Sequence, residues 1–150
     1  PKVDLAQICK TLANNKITAL AITRTQGLKI PAEIAQLTNL KSLYFKNVSI
    51  ENIDADFQNL AGMPMLNSLT LYACGLKSLP ASIGKMTNLV SLDLSLNDEM
   101  TSLPKELSQL TNLTTLSISS KLPDPVKAQA EKMLPKAKVS WPGKPQPKTK

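Results

Sequence analysis

The apolar positions of this chain recur in one figure, apolar-x-x-apolar-x-apolar, which begins at Ile17, Leu40, Leu66, Leu89 and Leu113. It is plainest in Leu66-Asn67-Ser68-Leu69-Thr70-Leu71 and in Leu89-Val90-Ser91-Leu92-Asp93-Leu94. Successive starts lie 23, 26, 23 and 24 residues apart. A period in this range marks a stacked array of units, each too small to bury its own apolar face. In Ser68-Leu69-Thr70-Leu71-Tyr72 the alternation puts Leu69 and Leu71 on one face of a short strand and the polar residues on the other. Ile83 and Met86, three apart, then predict a short helix or 3₁₀ turn beginning near Pro80. Each unit is strand, corner and short helical return, repeated in parallel. Strands pack more closely than bulkier returns, so the stack bends with the strands on its concave side.

An array exposes apolar faces at both ends and needs caps. Asp4 is placed to cap a helix whose apolar face is Leu5, Ile8, Cys9 and Leu12, with Asn14-Asn15 ending it. Near the other end, Asp124 is expected to cap a helix with Pro125 at its first position, with Val126, Ala130, Met133 and Leu134 on its inner face and Pro135 as its stop. Lys138-Val139-Ser140-Trp141 then offers a last partial strand, with Trp141 expected to plug the open core. The expected division is a cap helix in 1–16, five repeats in 17–120, a cap helix and partial strand in 121–141, and a solvated basic tail in 142–150. Residues 3–141 are expected to fold as a complete unit.

Composition refines this picture. The chain of 150 residues fits one domain, and aromatics are only 3% of it, so the core is aliphatic. No apolar run approaches the roughly 18 residues that span a bilayer. A chain that opens on Pro1 instead of Met is expected to be a mature or trimmed form. Of the net charge of +7, residues 121–150 carry +6, leaving the repeats nearly neutral. A nucleic-acid reader concentrates charge on its recognition face, so this distribution argues against that partner. Cys9 and Cys74 fall in different units and are expected to be small buried hydrophobes, not a disulfide.

The run Leu89-x-x-Leu92-x-Leu94-x-x-Asn97, followed by Leu103-Pro104-x-x-Leu107-x-x-Leu110-Thr111-Asn112-Leu113, resembles the leucine-rich repeat family, and the likeness covers about Ile17 to Ser120. The Leu-Pro-x-x-Ile/Leu-x-x-Leu return looks like the 23-residue class found in many bacterial and intracellular members. The fold this implies is α/β: a curved right-handed solenoid, with a parallel sheet on the concave face, short helices or 3₁₀ turns on the convex face, and capping helices at both ends. The family places Asn at the ninth position of each unit, where its side chain satisfies corner backbone groups. Here that position holds Thr25, Val48, Cys74, Asn97 and Lys121. A weak corner is expected at Val48, and a bulged return over Glu51–Pro64, where the step is longest.

Chemistry is sparse. There is no histidine, no Cys-x-x-Cys pair and no glycine-rich phosphate loop, so no metal site, cofactor or catalytic group is expected. The carboxylate pairs Asp54/Asp56 and Asp98/Glu99 fall in corners and returns, where charge is normally solvated. The register leaves a hydroxyl-rich floor of outward strand positions, including Ser91, Ser95, Ser117 and Ser119. Arg24, Tyr44, Lys46, Tyr72 and Asp93 stand on it. Tyr and Arg are over-represented among residues that dominate binding energy; Tyr and Thr also simply favour strands. The resemblance implies a non-catalytic protein- or peptide-binding module, expected as a monomer, and favours a bacterial surface or secreted setting. The alternatives are a carbohydrate- or envelope-binding accessory domain of a larger surface protein, and a targeting arm of an enzyme whose catalytic domain lies elsewhere.

Overall fold

The computed structural model describes residues 3–145. Six parallel strands follow one another in sequence order across a single sheet: β1 (Ala19–Leu28), β2 (Ser42–Ile50), β3 (Ser68–Tyr72), β4 (Ser91–Asp93), β5 (Thr115–Ser117) and β6 (Lys138–Ser140). The returns are 3₁₀ turns at Ala32–Gln36, Ala81–Lys85 and Lys105–Gln109, each starting after an extended proline, Pro31, Pro80 or Pro104. Pairing is in repeat register, with Leu43 beside Leu69, Leu69 beside Leu92 and Leu92 beside Leu116. These leucines, with Phe45, Leu71, Leu94 and Ile118 from the next inward row, form the buried spine. The expected α/β solenoid is the observed one.

The second return is the exception. In place of a bulge it is an α-helix, α2 (Ile53–Ala61), which accounts for the 26-residue step. Asn52 caps it by accepting from the Ala55 N–H at 3.3 Å, and Asp54 and Asp56 complement its dipole in the first turn. The expectation of a solvated Asp54/Asp56 pair needs correction at Asp56, which is buried, with no hydrogen-bond partner for Oδ2. Burial pushes its carboxyl above the usual range, while backbone hydrogen bonds at Ile30 and Asn52 pull the other way.

The first four repeats each use a residue of positive φ at the same corner position: Arg24 (55°) within β1, Asn47 (54°) within β2, Ala73 (53°) after β3 and Leu96 (58°) after β4. The course of the chain beyond this residue depends on the ninth position. Asn97 is fully buried; its Oδ1 accepts from the Cys74 and Leu76 N–H groups, and its amide donates to the Leu71 and Leu94 carbonyls. Where Thr25 and Val48 stand instead, the backbone satisfies itself. Strands β1 and β2 continue past the corner, Thr25 pairs with Val48, and the Glu51 N–H donates to the Leu28 carbonyl. The corner at Val48 is thus extended pairing, not a frayed turn.

At the ends, α1 (Leu5–Leu12) is capped by Asp4, whose side chain accepts from the Gln7 N–H at 3.0 Å, and it packs on the first 3₁₀ turn. Helix α3 spans Asp124–Met133; its cap residue is Pro123, so Asp124 is inside the helix, one place later than expected. Trp141 is only a partial plug: it is half-buried and packs against the edge of the core, with the Lys127 and Lys144 ammonium groups 5.4 and 4.6 Å from its ring centre, while Val139 is buried. Lys144, expected in a solvated tail, folds back to donate to the Val139 carbonyl and to pair with Glu131. The remainder of that tail, 146–150, lies outside the described residues. Both cysteines are buried and free.

Candidate functional site: the concave face of the sheet

Alternation along each strand sends one set of side chains inward and leaves the other on the concave face. The parallel register gathers the second set into lateral rows. One row runs Ala19, Ser42, Ser68, Ser91, Thr115 and Lys138. The next runs Ala21, Tyr44, Thr70, Asp93, Ser117 and Ser140, and a third holds Thr23, Lys46 and Tyr72.

The eight residues singled out from the sequence separate into two groups. Tyr44, Lys46 and Tyr72 meet on β2 and β3. The Lys46 ammonium lies 5.2 Å from the Tyr72 ring centre, and Tyr44 is the more exposed of the two tyrosines, with 39% of its surface accessible. Arg24 stands apart, on the rim midway along β1, because its left-handed conformation ends the concave row at Thr23. Ser91, Asp93, Ser95 and Ser117 form the second group on β4 and β5. The Asp93 carboxylate accepts from the Ser95 N–H at 2.8 Å, so part of its role is to fix the turn after β4. Ser117 and Ser140 approach through their hydroxyls at 3.4 Å. Ser119 is removed from the floor: it is buried, donates to Asp98 at 2.6 Å and accepts from the Lys121 N–H.

Among the described residues the ion pairs are Lys10–Glu33, Lys29–Glu51, Lys77–Glu99, Lys127–Asp124 and Lys144–Glu131. None includes Arg24 or Lys46, so this end of the face presents two cations without a carboxylate partner. Among the same residues no cluster of His, Cys, Asp and Glu could hold a metal ion, and no helix is long and apolar enough to cross a membrane.

Two further surface features flank the floor, of which the register already places the first on the outward side. Leu96, 46% exposed, extends the rim row of Arg24, Asn47 and Ala73. On the opposite rim, Met65 and Val90 are exposed beside a second asparagine ladder, in which Asn88 donates to the Pro64 carbonyl and Asn112 to that of Thr87. The recurrent dipeptides Thr38-Asn39, Thr87-Asn88 and Thr111-Asn112 are its signal in the sequence.

Five in-phase repeats, a parallel sheet with helical returns and a buried corner asparagine give the chain the leucine-rich repeat fold. A solved leucine-rich repeat protein of Leptospira interrogans superposes with a TM-score of 0.75 at 27% identity, over 90% of this chain and 33% of that one. An internalin of Listeria monocytogenes gives 0.53 at 19% identity, over 95% of this chain and 52% of that one, and shares the fold. The chain therefore spans a third to a half of these proteins. No protein-family model and no curated protein matches it.

Proposed function

We propose that the chain is a non-catalytic binding module that takes a protein or peptide on its concave face, with Tyr44, Lys46 and Tyr72 as the anchor and Asp93, Ser91, Ser95 and Ser117 as its polar flank. The observation that carries this reading is the clustering of both tyrosines with an unpaired lysine at one end of a small, hydroxyl-lined floor. Aromatic anchors ringed by small polar groups are what concentrates binding energy in an interface. Arg24, on the rim beside them, extends the same charge.

The test begins with a photo-crosslinking amino acid at Tyr72, and in a control at Lys105 on the convex side, to trap and identify the partner. Binding of the purified partner is then measured with the Tyr44→Ala/Tyr72→Ala variant. A loss of about 2 kcal/mol or more, some 30-fold in Kd, is expected for paired anchor residues. Equal crosslinking from Lys105, or unchanged affinity in the double variant, rejects this face. Trapping of a glycan instead of a polypeptide favours the carbohydrate-binding alternative.

A further inference from the structure

The two edges of the sheet are finished differently. Strand β6 is three residues long and starts with Lys138, and Pro142 stands two residues past its end. Shortness, charge and proline are the usual protections of an exposed edge. Strand β1 is ten residues long and, among the described residues, pairs only with β2. From Ile17 to Thr23 the chain reads Ile-Thr-Ala-Leu-Ala-Ile-Thr, with no charge, proline or glycine.

The direction of its free backbone groups is fixed by one contact. The Thr18 carbonyl accepts from the Lys41 and Ser42 N–H groups, at 2.8 and 3.0 Å, and so faces β2. Along a strand these directions alternate, so Leu20 and Ile22 also turn their backbone groups to β2. Ala19, Ala21 and Thr23 turn theirs to the open side, and their small side chains are exposed. The core behind this edge is incompletely covered. Leu20 is half-buried, whereas its counterparts Leu43, Leu69, Leu92 and Leu116 are at most 1% exposed. Ile8, Leu12 and Ile17 are half-buried in the same region. Helix α1 sits against the first 3₁₀ turn on the convex side, so it caps the returns without giving β1 a neighbour.

We propose that this edge is a homodimer interface, in which β1 of two copies pairs antiparallel about a twofold axis at Ala21. In that register Ala21 meets Ala21 of the partner subunit, and Ala19 meets Thr23 of the partner subunit. Every residue brought opposite in the centre has outward backbone groups, so the ladder closes in hydrogen-bonded pairs without an orphan. A one-residue slip sets outward groups against groups already used by β2. Arg24 falls opposite Thr18 of the partner subunit, and Lys16 opposite Gln26 of the partner subunit, so no like charges meet directly. Beneath the ladder, Leu20 meets Ile22 of the partner subunit, which covers the half-buried leucine. The pairing is isologous and closes at two copies; addition of β1 to β6 of another copy is head-to-tail, runs on without closure, and offers only the three residues of β6.

The sequence alone leads to the expectation of a monomer; the half-buried Leu20 at the first edge is what favours two copies instead. The proposal stands independently of what the concave face binds. The twofold axis is perpendicular to the sheet, so both concave faces lie on the same side.

Sedimentation equilibrium of the full chain over a wide concentration range is expected to show a species of twice 16.2 kDa that dissociates on dilution. Ala21→Lys sets two ammonium groups against each other at the axis and is expected to raise the dimer Kd at least tenfold, with the urea midpoint of the monomer unchanged. Register is read separately by oxidation of cysteine variants. Ala21→Cys is expected to form a disulfide-linked dimer, because the Cα atoms of a hydrogen-bonded antiparallel pair lie about 5.5 Å apart, within disulfide range. Ala19→Cys alone is expected to stay monomeric under reducing-agent-free gel conditions, while a mixture of Ala19→Cys with Thr23→Cys crosslinks. The buried Cys9 and Cys74 stay silent. A monomer at the highest concentration, a dimer indifferent to Ala21→Lys, open-ended assemblies, or crosslinking of Ala19→Cys by itself overturns the proposal.

Discussion

Replacing Asn97 with alanine removes the hydrogen bonds of both ends of its amide at once from a site with no access to solvent. The side chain accepts from the N–H groups of Cys74 (3.0 Å) and Leu76 (3.1 Å) and donates to the carbonyls of Leu71 and Leu94 (both 2.8 Å). A buried hydrogen bond contributes about 1 kcal/mol net, and a stranded buried group costs about 1–3 kcal/mol. Partial relaxation and water entry into the space left by the amide bring the sum for Asn97→Ala to about 3–5 kcal/mol. That is a large part of the roughly 5–15 kcal/mol that holds a domain folded. Urea unfolding followed by circular dichroism reads the loss as a lower midpoint. Asn97→Asp keeps an acceptor for the two N–H groups but abandons both carbonyls and adds a buried charge, so it is expected to be at least as damaging. Thr25→Ala, at the same repeat position, loses only the bond from Thr25 to the Thr23 carbonyl at 3.2 Å and is expected to cost about 1 kcal/mol or less. An Asn97→Ala loss no larger than that of Thr25→Ala refutes the view that this asparagine holds the corner.

Three further outcomes rest on local geometry. Gly84→Ala places a Cβ 2.9 Å from the Glu106 carbonyl and 2.5 Å from Gln109 Oε1, so the second and third 3₁₀ turns must separate, with an expected loss of about 1–3 kcal/mol by urea unfolding; an unchanged midpoint disproves the close approach. Leu96→Gly relieves a left-handed residue (φ 58°) that costs roughly 1–2 kcal/mol, against about 0.5–1 kcal/mol of added chain entropy, so a small net stabilisation is expected, and a lower midpoint contradicts it. For Asp56, whose folded pKa is raised, both states are protonated at low pH. As pH rises above the ordinary value of 3.8 the unfolded side chain ionises first, and stability falls until the buried carboxyl has also ionised. Asp56→Asn is therefore expected to raise the midpoint at neutral pH and to flatten this acid-side slope, and an unaltered slope places the titration elsewhere.

The solenoid is legible in the sequence because its information is periodic. Leucine spacing states which residues face inward, and Leu69, Leu71, Leu92 and Leu94 are buried as the figure requires. Departures arise where a residue's role depends on a neighbour distant in sequence. Val48 reads as a weak corner because no side chain there can hydrogen-bond, yet pairing with Thr25 satisfies the corner through the backbone. Asp56 reads as solvated because its segment is polar; in a nine-residue helix it faces inward, over Ile30. Trp141 reads as a core plug on hydrophobicity alone, while in the fold it is half-buried against the core edge beneath two lysines. The same applies to the candidate site. Sequence register assigns the face of Tyr44, Lys46 and Tyr72, but left-handed Arg24 and buried Ser119 require the local turn geometry.

The longest repeat step does not disturb the sheet. Helix α2 occupies the return between β2 and β3, yet Ser42 remains beside Ser68, Leu43 beside Leu69 and Tyr44 beside Thr70. Extra length is taken up on the outside, and the inside keeps its pitch of about 4.8 Å from strand to strand. The inner surface is therefore a pegboard with fixed hole spacing, in which each side chain has an address set by strand and row and not by the length of chain between. Side chains can be exchanged between addresses, or returns lengthened, without moving the remaining pegs, and a ligand that slides along the board can do so only in whole strand steps.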